Sequence, residues 1–513
     1  MQEYGTVIAT QETPTTTRFS FVISDPSIVR KGRYVQLKGE DGLLVGFVRD
    51  IVRSNRYFEH AESISEYEKN DYQSTFLEHF PAGEWEFAVA DCHVLGAYDG
   101  GTLKRVAYPP APGTKVQGCE DSVLIKFLGF EEQGLRVGKL FQHNVEVKLN
   151  LTKLFQKHLA LLAQSGAGKS YSAAVLIEEL LSRQKDQGRL AIAVIDMHGE
   201  YACFADRRRN PDFANQVEVV PGDKIKIAAR RLTTQLLGEF LPDMSPAQLR
   251  DLAPVLKKVR KDYKEKEEAF SMKDLIQAVS ASEIRDNSKQ ALLAWLSELS
   301  SYRIVGVHDA PHLKRSLKPG KLLVFDFSSI INMKKKQMLV AYLCRKMFNL
   351  RRQGELPPYL LLVEEAHNFA PEKVERRSAI SRSVIETVAR EGRKFGASLC
   401  LVSQRPVKLS TTALSQCNSF LIMRVTNPYD LKHIEESCEN IDSATTGQIT
   451  TLKTGEGVLI GEAVSYPVFL KVRERKSQKA AGGTSLEELS KAFEEEEKIS
   501  EAVSEAEAGE AFL

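Results

Sequence analysis

The chain has 513 residues, 42% hydrophobic and 27% charged, with a formal net charge of +2. That is the make-up of a globular chain long enough for two to four domains, and it excludes a low-complexity or disordered polymer. No apolar run reaches the roughly 18 residues of a membrane span and Met1-Gln-Glu-Tyr4 does not begin a signal peptide, so the expected location is the cytoplasm.

The charge is unevenly spread. Residues 485–513 hold ten Glu against Lys491 and Lys498, a net of −8, which leaves about +10 on residues 1–484 by difference. A basic body with an acidic tail suits a polyanion partner, although a dispersed excess of this size also occurs on plain solvated surfaces. The seven cysteines (Cys92, Cys119, Cys203, Cys344, Cys400, Cys417, Cys438) are odd in number and lack a Cys-x-x-Cys pair. Several sit in apolar runs, which predicts buried thiols in a reducing compartment.

In chain order, residues 1–115 read as all-β. Gly5–Ala9, Arg18–Ile23, Tyr34–Leu37, Leu43–Val48 and Glu86–Ala90 are short strand-like runs, with Asp41-Gly42 and Asp99-Gly-Gly101 as turns. That spacing predicts a small barrel or open sandwich. The polar stretch 54–82 is expected to be an insertion or loop, and Pro109-Pro-Ala-Pro-Gly113 the stiff exit from the domain.

From 116 to 227 strands alternate with helices, as in a parallel sheet covered on both faces. Residues 228–312 break that rhythm with helices: Ser245-Pro-Ala-Gln248 and Ser271-Met-Lys-Asp274 are capping-box starts, and Leu249, Leu252, Val255, Leu256 and Val259 recur at helical spacing. This segment is expected to be an inserted lid or packing subdomain. The α/β pattern resumes over 313–475 with Lys321–Phe327, Tyr359–Val363, Ala397–Val402 and Phe420–Val425, while Gly457–Ile460 and Pro467–Val472 extend one sheet edge. Arg473 to Thr484 is expected to be a polar linker, and 476–513 as a whole linker and acidic tail.

The chemistry begins at Leu159-Ala-Leu-Leu-Ala-Gln-Ser-Gly-Ala-Gly-Lys-Ser170. An apolar strand ends in a glycine-rich turn, and a Lys-Ser pair opens a helix. Gln164, Ser165, Gly166, Ala167, Gly168, Lys169, Ser170 and Tyr171 therefore form a candidate phosphate-binding loop for ATP. Lys169 meets the β/γ-phosphates and Ser170 ligates Mg²⁺. Ala163 stands where the usual pattern has Gly, a departure that a negative φ allows.

Such a loop needs acids at neighbouring strand ends. Asp196, Asp326 and the pair Glu364-Glu365 compete. Strand alternation places Glu364 and Glu365 on opposite sides, so Glu364 is assigned to the Mg²⁺ shell and Glu365 to polarising the attacking water. Asp326 is expected to cap a turn. Asp196-Met-His-Gly-Glu200 is a candidate sensor of the γ-phosphate, with metal binding by His198 alone disfavoured for want of a partner ligand. Gln404, in Ser403-Gln-Arg-Pro406, is placed to touch the γ-phosphate or the lytic water. Arg390 and Arg393, in Arg390-Glu-Gly-Arg-Lys-Phe-Gly396, suit an arginine finger offered to a neighbouring subunit, or else form a solvated helix end. Lys373, Arg376, Arg377 and Arg382 are candidates for tracking DNA phosphates, or a solvated helix face; no aromatic interleaving suggests base stacking.

With these residues in place, the chain resembles the HerA family of hexameric DNA translocases, in the HerA–FtsK group of RecA-like ATPases. The resemblance is carried by Ala163–Ser170, Asp196–Tyr201, Glu364-Glu-Ala-His367, Arg390–Gly396, Ser403–Pro406 and Phe420–Asp430, and it spans about 1–475. It implies a RecA-like core with an N-terminal β-barrel, and a six-membered ring that pumps duplex DNA. It also implies a partner: a NurA-like nuclease in DNA-end processing, or a sirtuin-like or other effector in defence. It supports Glu365 as catalytic and one of Arg390 and Arg393 as the finger acting in trans. Two other classes compete with the motor. One is a protein-remodelling or secretion-type ATPase, the other a ring that gates a bound effector.

Overall fold

In the computed structural model the described residues are 2–9, 13–55, 86–99, 102–373, 379–438 and 441–478, with isolated positions between 56 and 85 and between 487 and 494. The N-terminal strands are β1 (Glu3–Ile8), β2 (Arg18–Ile23), β3 (Tyr34–Gly39), β4 (Gly42–Asn55), β5 (Glu86–Asp99), β6 (Thr102–Lys104) and β7 (Lys115–Gly118). They run in the order β2-β1-β7-β3-β4-β5-β6, and β2 pairs back onto β5, so six strands close into a barrel with β6 appended. Closure removes the free edges that an open sheet of this size would expose. Alternation along each strand turns Tyr4, Phe19, Phe21, Val35, Leu44, Val48 and Ala90 into one core.

One expectation needs correcting here. The segment Pro109–Gly113 leads into β7, which returns to the barrel between β1 and β3. It is therefore a connection within the barrel, not the exit from it. Of the polar stretch 54–82, Ser54 and Asn55 continue β4 and the rest lies almost wholly outside the described residues.

The second sheet contains β8 (Leu135–Leu140), β9 (Glu146–Leu149), β10 (Leu159–Leu162), β11 (Ala191–Asp196) and β12 (Val217–Pro221). A two-stranded pairing, β13 (Ile227–Ala228) with β14 (Val305–Gly306), stands apart. The large sheet continues with β15 (Leu322–Asp326), β16 (Tyr359–Val363), β17 (Ala397–Ser403), β18 (Ser419–Met423), β19 (Glu456–Gly461) and β20 (Val468–Val472). Its order is β12-β15-β11-β16-β17-β10-β18-β19-β20-β8-β9, parallel as far as β18 and antiparallel beyond.

Both faces are covered. Leu161, Val194 and Leu362 point to one core with Ala174, Ile177 and Leu181 of the helix Lys169–Ser182. Leu162, Ile195 and Val363 point to the other, with the helices Met333–Arg352 and Arg382–Glu391. Burial on both sides explains why these strands read as continuous apolar runs.

The inserted helices Thr234–Phe240, Pro246–Glu265, Met272–Ser280 and Asp286–Ser301 share this second core through Leu237, Phe240, Leu252, Leu275, Leu292 and Leu296. The box at Ser245 is formed: Gln248 N–H donates to Ser245 Oγ at 3.2 Å, and Ser245 N–H to Gln248 Oε1 at 2.9 Å. Asp309 ties the insertion down, accepting from Ala228 N–H at 2.9 Å and Tyr342 O–H at 2.6 Å while pairing with Lys346 at 3.0 Å.

Barrel and core sheet meet at His143. Its Nε2 accepts from Tyr34 N–H at 3.0 Å, and Phe47 stacks on Phe469 nearby. Burial and the Arg33 guanidinium push the imidazole down to about 4 from an ordinary 6.5. The unfolded chain then takes up the proton first as pH falls. Stability is complete above about pH 6.5 and falls towards pH 4, by about 3 kcal/mol over the full window. A His143→Gln variant keeps an acceptor without the titration, so its urea midpoint should fall less between pH 7 and pH 4.5; an equal fall in both proteins would contradict this account.

Candidate active site

The phosphate loop leaves the end of β10 between two neighbours. Ala163 N–H donates to Ser403 O at 3.2 Å and Gln164 N–H to Arg424 O at 2.9 Å. Ala163 is buried and has no positive φ, so the missing glycine leaves the turn intact. The positive φ values fall on Gly166 (76°) and Gly168 (107°), where a side chain would strain the backbone. Gly168 caps the helix Lys169–Ser182, so free N–H groups and the positive end of the helix dipole face one spot.

Lys169 Nζ donates to Glu365 Oε1, both groups buried. The strand itself ends at Val363, and Glu365 has a φ of 47°. Strand alternation therefore does not set the two acids apart, as the sequence suggested; a left-handed turn does. Glu364 Oε2 accepts from Met197 N–H at 2.9 Å. Burial, then Asp196 and Glu200, push its carboxyl up to about 8 against the opposing Lys169.

Asp196 is spent on the backbone. Its two oxygens accept from the N–H groups of His198, Gly199, Glu200 and Tyr201 at 2.8 to 3.3 Å. It builds the turn after β11 and so holds the stretch Asp196–Glu200 in place. Asp326 caps a turn through Ser328 N–H at 2.9 Å. His198 is exposed, and the described residues contain no group of metal-ligating side chains around it.

Glu364 Oε1 and Glu365 Oε2 are buried without a hydrogen-bond partner among the described residues. Orphaned carboxylate oxygens are costly in a protein interior. Lying beside a glycine cradle and a buried lysine, they fit a bound triphosphate and divalent cation, which would supply the missing positive charge.

The other expected residues scatter. Gln404 directly follows β17, beside the start of the loop. Arg390 and Arg393 are exposed just before β17 begins, at the opposite end of the parallel strands from the loop, roughly 20 Å away. Lys373 is exposed. Arg382, a candidate for tracking DNA phosphates or for a solvated helix face, is bound to Glu386 at 2.7 Å, which also accepts from Ser410 Oγ. Arg376 and Arg377 lie outside the described residues.

Several neighbours were not foreseen. Thr454 Oγ1 and Gly455 N–H reach the carbonyls of Gly166 and Ala167 at 3.5 and 3.1 Å, bracing the loop from the turn before β19. His367 Nδ1 lies 3.0 Å from Ser403 Oγ and 3.5 Å from Glu365 Oε2. Arg424 stands at the mouth with a buried Nε that lacks a partner among the described residues.

Residues 473–478, expected to be a linker, strap the phosphate-loop helix. Glu178, fully buried in that helix, accepts from Arg473 Nη1 at 2.8 Å, Lys476 N–H at 3.0 Å, Ser477 N–H at 2.9 Å and Ser477 Oγ at 2.5 Å. Arg475 N–H donates to Tyr171 Oη at 2.7 Å. The only sequence signal was a Glu178-Glu179 pair inside an otherwise apolar helix.

A parallel sheet with this loop at the end of an inner strand, and acids at the ends of strands two and three places away, defines a P-loop ATPase. The solved VirB4 of Thermoanaerobacter pseudethanolicus shares the fold, with a TM-score of 0.53 and 16% identity over 67% of this chain and 98% of that one. Residues 135–347 match the family described as helicase HerA, central domain. The chain is similar to a probable helicase of Methanocaldococcus jannaschii, 29% identical over 86% of each chain. It is also similar to the DNA double-strand break repair helicase HerA of Pyrococcus furiosus, 27% identical over 91% of this chain and 92% of that one.

The strap makes a stability prediction. Burial pushes the Glu178 carboxyl up, but the Ser477, Lys476 and Arg473 contacts outweigh it and hold the group below its ordinary range. Arg473→Ala would leave that buried carboxylate short of a partner, which typically costs about 3–5 kcal/mol. Urea unfolding at pH 7 should show it; a loss below about 1 kcal/mol would mean the strap is peripheral.

Proposed function

We propose that this protein is an ATP-driven, ring-forming motor on duplex DNA. The observation that carries the reading is the meeting of Lys169, Glu364 and Glu365 beneath the glycines of the loop, with two carboxyl oxygens that lack a hydrogen-bond partner among the described residues. Gln164 to Tyr171 would hold the triphosphate, and Ser170 and Glu364 would hold Mg²⁺, which neutralises charge on the β- and γ-phosphates. Glu365 orients the attacking water once Lys169 turns from it to the phosphates. Gln404, beside the loop, contacts the γ-phosphate.

Arg390 and Arg393 lie at the opposite end of the strands from the chain's own loop, so in this reading they act on the nucleotide of a neighbour, one of the two as the finger. That shared site makes a closed ring, six-membered by resemblance, the working form. Duplex DNA is the substrate because the curated relatives are named as DNA repair helicases. The partner in this reading is a nuclease of NurA type, or another effector such as a sirtuin-like protein, engaged in end processing or defence. No described helix is long and apolar enough to cross a membrane.

Steady-state ATP hydrolysis should rise on adding linear duplex, and Glu365→Gln should lower it by about 100-fold or more. Either Arg390→Ala or Arg393→Ala should cost about 1,000-fold in assembled rings. Hydrolysis indifferent to DNA would overturn the motor, and full rates in both arginine variants would overturn the shared site.

A further inference from the structure

Away from the nucleotide site, the fold gathers cations that the sequence keeps far apart. Lys224 follows β12, Lys226 precedes β13, Arg303 follows the last inserted helix, and Lys335 lies in the first turn of the helix Met333–Arg352. Lys226 Nζ donates to Arg303 O at 2.5 Å, and Lys226 also bridges to Ala310. These contacts bring the insertion's end onto the turn after β12. None of the four cations makes an ion pair with a carboxylate among the described residues. By contrast, the adjacent Lys334 is held by Glu298 at 2.8 Å.

The cluster has its own electrostatic mark. Burial lowers the Lys226 ammonium, and Lys335, Lys224 and Arg303 lower it further, against the opposing Asp223 alone. Like charges assembled this way repel one another, and an anion bound between them relieves the repulsion. Beside them Ile331 stands 98% exposed in the turn that caps the long helix. The cluster sits at the carboxyl ends of β12 and β15, the same edge as the phosphate loop. It is four to five strand spacings from β10, roughly 19–24 Å, and too far to serve the same nucleotide.

We propose that Lys224, Lys226, Arg303 and Lys335 form a binding surface for the phosphate backbone of duplex DNA, on the same sheet edge as the ATP site. The inference rests on the DNA-motor reading and names the contacts which that reading lacks. Arg382, on the face around Lys373, is committed to Glu386, whereas none of these four cations has a carboxylate partner among the described residues. Several cations of one sign, drawn from three segments and without an array of paired acids, match a line of phosphates and carry no sequence preference. Movement of the turns after β12 and β15 would shift these contacts together.

The test is fluorescence anisotropy of a labelled duplex of about 30 base pairs against the full-length protein, over a series of salt concentrations. A Lys224→Ala/Lys335→Ala variant removes two cations. A Lys185→Ala/Lys318→Ala variant removes two exposed cations from the opposite sheet edge and serves as control. The cluster variant should lower the log–log salt slope by about two and weaken binding roughly tenfold or more near 0.15 M salt; the control should leave both near wild type. Matching thermal melts establish that the variants are folded. If wild-type protein binds the duplex and the cluster variant binds with the same slope, this inference falls and the motor reading stands. Equal losses in the two variants would show a diffuse field and also sink it. Duplex binding unchanged but capture of polyglutamate lost would assign the cluster to an acidic protein instead. If wild-type protein does not bind duplex at all, the motor reading falls and takes this inference with it.

Discussion

The site turns on a buried charge arrangement at one sheet edge. Lys169 is pinned to Glu365, and Glu364 lies against Asp196 with its carboxyl raised. Such an arrangement is tolerable only where the surrounding structure overdetermines it. Here the two apolar cores hold the parallel strands rigid, the acids lie at or just beyond strand ends, and Lys169 opens the helix that follows the loop. The loop cannot relax outward, because Ser403 and Arg424 hold its start and Gly455 holds its middle. The site is thus assembled and under-charged in the same place, which is what a polyanion carrying a cation requires.

The elements farther out serve this edge. The strap closes over the phosphate-loop helix through Glu178, linking the last strand of the core to the back of the loop. The inserted helices share a core with the sheet and bring Arg303 to the carboxyl end of β12. The barrel rests on the far edge through His143 and Phe47. Nucleotide site and proposed DNA surface therefore lie along one line of strand ends, so a change at one can reach the other through the sheet.

Much of this was legible beforehand for a simple reason. Strands buried on both faces must be apolar throughout, so β10, β11, β15, β16, β17 and β18 stood out as runs. The phosphate loop was legible because left-handed turns select glycine, and Gly166 and Gly168 carry those angles. The strap was not legible. Arg473-Glu-Arg-Lys476 has the composition of a linker, and only the distant Glu178 makes it an element. The pairing of Arg382 was not legible for the same cause: its charge is visible in sequence, but its contact with Glu386, which also accepts from Ser410, is not.

By itself, the sequence determined the class of fold, the loop that cradles phosphate and which acids compete beside it. Those follow from local periodicity and from backbone angles that few residues tolerate. Only the tertiary structure decided among the acids and the cations. Asp196 is consumed by the backbone of its own turn, while Glu364 and Glu365 each keep an oxygen without a hydrogen-bond partner among the described residues. Lys224, Lys226, Arg303 and Lys335 become one surface, though 111 residues separate the first from the last. Whether a charge is satisfied depends on what lies within a few ångströms of it in space, and sequence neighbours do not report that.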